Sequence, residues 1–363
     1  MKTNRISSMK ITTRLLLTAS AAVLCAFTVT PAHAGLSFLR NFGSFGSGSG
    51  QFWNSYGVTV DSAGKVYVGD TGNHQIVRFN PADFAGTFTP FGNFGTGSGE
   101  FNVPVGVTVD SAGNVYVADG SNSRIDRFNP ANFAGTFTSF GSFGSGSGQF
   151  NAPLGVTLDS AGNVYVSELQ NHRIDRFNPA DFAGTFASFG SFGSGSGAFN
   201  QPVGLTVDSA GNVYVADQNN NRIVRFNPAN FAGTFTSFGS AGSGRGEFFS
   251  PSGVALDGAG NVYVADNANN RIVSFNPADF AGTFATFGSA GSGDGQFNQP
   301  AGVTVDSAGN VFVADTFNNR IVELSGAAAV PEPATAALLL SGTALLALRR
   351  RRSVIDNRTP DND

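Results

Sequence analysis

A segment of 49 residues recurs six times between an N-terminal leader and a C-terminal apolar stretch, and this period constrains the fold more than anything else in the 363-residue chain. One copy reads Gly155-Val156-Thr157-Leu158-Asp159, then Val164-Tyr165-Val166, then Asn171-His172-Arg173-Ile174, and closes on Phe182-Ala183-Gly184-Thr185-Phe186. The aspartate after the first apolar run returns at Asp61, Asp110, Asp159, Asp208, Asp257 and Asp306. Units of this length that hold several short strands predict the blades of a propeller.

The content of each unit supports that reading. Val58 to Val60 and Val66 to Val68 are two apolar runs joined by Asp61-Ser62-Ala63-Gly64, a hairpin whose glycine can take a positive φ. Ile76 to Phe79 and Thr87 to Phe91 supply a third and fourth strand, broken apart by Pro81, which lacks a ladder amide. No stretch shows a helical period. Val-Tyr-Val runs suit sheets packed on both faces, and the 36 phenylalanines are expected to fill the space between blades. The sixth unit stops at Leu324 without a fourth strand, whereas Phe38 to Gly43 stands in 49-residue register with that strand. The N-terminal segment is therefore expected to close the last blade and remove an open sheet edge. The fold class is all-β, a six-bladed propeller of four-stranded antiparallel blades.

These units resemble the NHL repeat family over roughly residues 36–325. Pro104-Val105-Gly106-Val107-Thr108-Val109-Asp110 matches the family's opening, and Val117, Asp119, Asn122, Arg124 and Ile125 match its hairpin. Blade one departs with Ser55 in place of proline and Gln75 in place of arginine. The resemblance implies six blades but no single activity, because functions are carried by sites grafted on a shared fold.

The ends read as sorting signals. Lys10 and Arg14 precede the apolar run Leu15 to Val29 and then Ala32-His33-Ala34, so residues 1–34 form a signal peptide with cleavage expected between Ala34 and Gly35 by signal peptidase. Either Met1 or Met9 can start such a leader. The single cysteine, Cys25, lies inside it, which leaves the mature protein no thiol and no disulfide. Residues 35–329 form the propeller, residues 330–352 a sorting and anchoring segment, and residues 353–363 a short polar tail. Pro331, Glu332 and Pro333, the apolar stretch 334–348 and the cluster Arg349, Arg350, Arg351 and Arg352 resemble the PEP-CTERM sorting signal. That resemblance implies an exosortase-type processing enzyme, transient anchoring in the inner membrane, and a cell-surface or extracellular destination, often alongside exopolysaccharide or biofilm. The 15-residue apolar stretch is shorter than the roughly 20 residues of an ordinary span, and the arginines favour a cytoplasmic end.

Charge narrows the partners. Residues 35–330 carry 12 basic side chains against 21 acidic ones, a net of −9. Phosphate backbones need a basic face, so nucleic acid is disfavoured. The recurrent Asp217, Asn220 and Arg222 set resembles a metal or substrate site, yet a self-bonded turn and an Asp–Arg pair explain it, since it recurs around the ring. Gly144 to Gly148 and its equivalents lack the lysine and following helix of a phosphate cradle and read as flexible connections. His74 and His172 occupy positions where other repeats have Ser123, Asn221, Asn270 and Asn319 and read as exposed turn residues. The pattern requires no catalytic residue, metal or cofactor.

Function is expected where the repeats disagree. Trp53, Tyr56, Arg245, Phe249 and Phe317 break the repeat in the consecutive blades five, six and one. They are the candidate platform for an unidentified protein or polysaccharide. The reading is an exported, non-enzymatic binding or scaffold protein. The alternative is a propeller hydrolase or lyase, lactonase-like or amidating-lyase-like, with a metal in the central channel.

Overall fold

The computed structural model describes residues 35–326. In blade one, strand a is Ser55–Val60, strand b Val66–Asp70, strand c Gln75–Phe79 and strand d Thr89–Phe91, hydrogen-bonded side by side in that order. Blades two to five repeat this order from their own a strands, Pro104–Val109, Pro153–Leu158, Pro202–Val207 and Pro251–Leu256. The a–b hairpin forms because Asp61 accepts hydrogen bonds from the amides of Ala63 and Lys65, both at 2.9 Å, while Gly64 turns the chain at a φ of 76°.

Blade six is built from both ends of the domain. Strands Pro300–Val305, Val311–Asp315 and Arg320–Ser325 are completed by Ser37–Phe42, which pairs antiparallel to the last of them from Ser37 opposite Ser325 to Phe42 opposite Ile321. Arg40 Nε lies 2.6 Å from Glu323 across this seam. The expected closure is therefore the one the fold uses.

The c–d connection differs from its sequence reading. Phe84–Thr87 forms a single α-helical turn, and so do Phe133–Thr136, Phe182–Thr185, Phe231–Thr234 and Phe280–Thr283. Four residues are too few to show a period. The local signal is the cap: Asp83 accepts from the Gly86 amide at 3.1 Å, and Asn132 from Gly135 at 3.2 Å.

The core lies between neighbouring blades. At the seam, Phe42, Phe312 and Ile321 of blade six meet Phe52, Val68 and Phe79 of blade one. One fully buried phenylalanine enters each blade from the preceding loop, namely Phe52, Phe101, Phe150, Phe199, Phe248 and Phe297. Truncating such a ring to alanine costs about 3–5 kcal/mol. Strand a is innermost, and its glycine allows neighbouring blades to approach closely. A Cβ on Gly57 would overlap the carbonyl oxygen of Val105 in the next blade, and this contact recurs around the ring until Gly302 meets the carbonyl of Tyr56.

Candidate functional site

Strand direction gathers the d–a loops and the b–c turns on one face, above a repeated buried carboxylate. In blade four Asp217, fully buried, accepts from the Asn200 amide at 2.7 Å, from Asn220 Nδ2 at 2.8 Å and from Arg222 Nε at 2.7 Å. Arg222 then donates to the carbonyls of Ser194 and Ala198 in the loop above. Burial raises the Asp217 pKa above its ordinary value, opposed by these donors. Three donors, one of them the paired guanidinium, occupy the carboxylate oxygens that a metal would need. Blade one replaces the arginine with Gln75, whose Nε2 reaches Asp70 at 2.7 Å.

This arrangement also changes the reading of the glycine-rich loops. They are not free connections. Gln51 Oε1 accepts from the Gly48 amide at 2.9 Å, Phe45 and Phe52 form a parallel bridge, and Arg173 holds the Ser145 carbonyl at 2.6 Å. The glycines accommodate close packing, and in blades two to six the arginine beneath the loop orders it.

The histidines are partly buried rather than exposed. His74 Nδ1 accepts from the Val103 amide at 3.1 Å and His172 Nδ1 from the Gln201 amide at 3.0 Å. Asn221 and Asn270 do the same with a side-chain oxygen toward Ser250 and Gln299. All four sit at a φ near 53–56°, a conformation that asparagine and histidine tolerate better than most residues. Among the described residues no group of three or more His, Cys, Asp or Glu is placed to hold a metal.

The five symmetry-breaking residues divide into three environments. Trp53, Phe249 and Phe317 are exposed on the face of the d–a loops and b–c turns, at 47%, 54% and 50%. Trp53 and Phe317 belong to segments joined by the Asn54 amide donating to Asn319 at 2.9 Å, and the indole lies over Gly72, where a Cβ would stand 2.6 Å from the ring. Tyr56 turns into the central channel instead, where its hydroxyl lies 2.9 Å from Ser252 Oγ. Burial raises its pKa. Arg245 reaches to the outer c–d turn of its own blade and donates to the carbonyls of Ala281 and Gly282. The channel beside Tyr56 is lined mainly by Val, Leu, Ala and Gly of the a strands.

Sequence reasoning passed over Phe45, Phe94, Phe143 and Phe192. They recur in four repeats and so looked like core, yet they are among the most exposed hydrophobic side chains, at 65–70%. The available signal was their replacement by Ala241 and Ala290 in the other two repeats, a change that a buried core position tolerates poorly.

The NHL repeat family matches residues 57–79, 101–128, 199–226, 248–275 and 297–324. The chain is an NHL-repeat β-propeller. The family match passes over blade three of this propeller, where Ser167-Glu168 replaces Ala-Asp. The geometry there is nonetheless equivalent, with Glu168 taking the Asn151 amide at 2.6 Å and Arg173 Nε at 2.7 Å. Residues 329–353 match the PEP-CTERM protein-sorting motif, which indicates export, cell-surface association and processing by an exosortase-type enzyme. That motif, with Pro331, Glu332, Pro333 and Arg349 to Arg352, lies outside the described residues, as do Ala34 of the expected cleavage site, Cys25 and the tail. No helix among the described residues is long and apolar enough to cross a membrane.

Solved structures share the fold at low identity. A protein of unknown function from Bacteroides thetaiotaomicron is 18% identical with a TM-score of 0.62, over 80% of this chain and 76% of its own. An auxiliary nutrient binding protein from the same organism is 13% identical with a TM-score of 0.56, over 81% and 73%. A catalytically inactive virginiamycin B lyase from Staphylococcus aureus is 17% identical with a TM-score of 0.53, over 80% and 99%. At these identities the likeness is one of fold. No curated protein matches the chain in sequence.

Proposed function

We propose that this exported propeller acts by binding rather than by catalysis, as a cell-surface or matrix scaffold whose ligand sits on the face of the d–a loops and b–c turns. The observation that carries this reading is the placement of Trp53, Phe249 and Phe317, large rings left in water in three consecutive blades, on the same face as the exposed Phe45, Phe94, Phe143 and Phe192. Exposed aromatics of this kind supply binding energy when a partner covers them. The polar groups that resemble chemistry are engaged elsewhere: the buried carboxylates hold loop amides, and both histidines accept backbone N–H groups. Among the known propellers of this shape are a nutrient binding protein and a lyase, and the first is the closer functional analogue for a site without a ligating cluster. Signal peptidase and an exosortase-type enzyme would process the two ends, and exopolysaccharide or biofilm is the setting the sorting signal suggests.

The test compares the wild type with a Trp53→Ala/Phe249→Ala/Phe317→Ala variant in the exporting cell. The variant should melt at the same temperature and lose at least ten-fold of the fraction retained at the surface or in the matrix. A His74→Asn/His172→Asn variant, which restores the residue of other blades, should behave as wild type. Equal retention of the aromatic variant, or loss of function and of co-purifying metal in the histidine variant, would overturn the binding reading in favour of a metal-dependent hydrolase or lyase.

A further inference from the structure

Eight large hydrophobic side chains are exposed among the described residues, and seven of them are aromatic rings on the face of the d–a loops and b–c turns. Only Leu39, on the outer strand of blade six, lies elsewhere. The rings are distributed by blade. Phe45, Phe94, Phe143 and Phe192 stand on the loops entering blades one to four. Blades five and six have alanine at that position and present Phe249 and Phe317 instead. Every blade thus offers a ring, although the residue supplying it changes. Three of the loop rings are braced: Phe94 by His74 at 4.9 Å between centroids, Phe192 by His172 at 4.8 Å, and Phe45 edge-on by Trp53 at 6.2 Å.

The ground between these rings is polar and not cationic. The loops are rich in Gly, Ser, Thr, Asn and Gln, and the recurrent arginines beneath the loops of blades two to six are committed to buried carboxylates and loop carbonyls. The charged residues of the loops are Glu100, Glu247, Asp294 and one arginine, Arg245, which is turned toward the outer carbonyls of Ala281 and Gly282. An acidic polymer would meet like charge there. A protein partner favours a continuous apolar centre, whereas these rings stand on separate blades, apart from the Phe45–Trp53 pair of blade one. Isolated ring faces on a ground of hydroxyls, amides and carbonyls suit a ligand whose own apolar faces are separated by hydroxyl groups at regular intervals.

The chain ends add a direction. Ser37 pairs with Ser325, and Gly326 lies against Gly309 in the a–b turn of blade six, so both ends of the described domain emerge on the face opposite the rings. The sorting motif begins three residues later, a distance of at most about 10 Å. An attachment made through that end lies on the face opposite the rings and leaves them uncovered.

We propose that the ring of aromatics is a docking surface for a neutral polysaccharide lying outside the cell, a proposal that rests on the binding reading above and names its ligand class. Sugar rings would stack their C–H faces on the phenyl groups and share hydroxyls with the loops. Trp53 is the only tryptophan in the chain, so its emission reports occupancy directly.

The experiment uses processed protein purified from exporting cells, titrated with a panel of neutral polymers (dextran, laminarin, mannan, soluble cellulose derivatives) and with alginate as the acidic polymer. At least one neutral polymer should shift Trp53 emission and retard the protein in affinity electrophoresis, and alginate should do neither. A Phe94→Ala/Phe143→Ala/Phe192→Ala variant should keep its melting temperature and bind that polymer at least ten-fold more weakly. No response to any neutral polymer, equal binding of alginate, or unchanged binding by the variant would overturn the proposal, as would sedimentation showing that the same rings join two copies face to face. Loss of surface retention in the Trp53/Phe249/Phe317 variant without any polysaccharide response would leave the binding platform standing and remove its ligand class.

Discussion

Ser55 is fully buried and its hydroxyl has no hydrogen-bond partner. The other five blades place Pro104, Pro153, Pro202, Pro251 and Pro300 there. A buried hydroxyl left unpaired costs about 1–3 kcal/mol, and proline lowers the entropy of the unfolded chain where the backbone already suits it. The backbone does suit it, because Asn54 sits at a φ of 50° just as Val103 and Ala152 do at 59° and 54° before their prolines. Ser55→Pro should therefore raise stability by about 1 kcal/mol, read as a higher urea midpoint at unchanged slope. A lower midpoint would mean that the Ser55 amide matters more than its hydroxyl. This departure was visible in the sequence, and the direction of its neighbour Tyr56 was not. The a–b pairing slips between Ser55 and Val58 and at the equivalent positions of the other blades, and across that irregularity Tyr56 faces the channel while Trp53 faces the solvent.

Strand c varies at its third position, which is buried in every blade. Blades one, four, five and six carry Val77, Val224, Val273 and Val322, while blades two and three carry Asp126 and Asp175 beside the carboxylates Asp119 and Glu168. One arginine serves each pair, with Arg173 Nε 2.7 Å from Glu168 and 3.0 Å from Asp175. Burial pushes Asp175 up to about 9, helped by the negative Glu168 and opposed by Ser188 and Arg173, and burial likewise pushes Asp126 up to about 7. A carboxyl raised in the folded state ionises first in the unfolded chain, so each costs nothing below about pH 4 and destabilises progressively up to its folded value. Stability should fall as pH rises from about 4 to 9. Asp175→Val installs the residue of four other blades, and should raise the melting temperature more at pH 8 than at pH 5. An equal gain at both would show that Asp175 is ionised in the fold. The strand itself was legible from its apolar run, but the acid pair was not, because Asp119 and Asp126 come together only through the hairpin and sheet packing. The one-turn helices of the c–d connection escaped for the opposite reason, being shorter than any period that could reveal them.

At the scale of the whole molecule, the 49-residue period determined the number of blades, and counting strands determined how the ring closes. What the period obscured was the face. A residue that recurs from repeat to repeat reads as scaffold whether it points inward like Phe52 or outward like Phe45, and burial separates the two only after the loop is folded. Closure is the feature on which the ring most depends, and it can be tested by removal. Deleting residues 36–42 would expose the edge from Ile321 to Ser325, strip the Arg40–Glu323 pair, and remove Phe42, which packs 5.2 Å from Phe79 and 5.4 Å from Phe84 between blades six and one. Loss of the Phe42 ring alone should cost about 3–5 kcal/mol, and the open edge offers a template for pairing with another chain. The deletion should therefore melt earlier and less cooperatively and associate in sedimentation. Phe42→Ala should share the stability loss without the association, since its backbone still covers the edge. If the deletion melts as wild type, the N-terminal strand is an ornament on a ring held by its other five seams; if both variants weaken but only the deletion associates, packing and edge protection are separate contributions of the same strand.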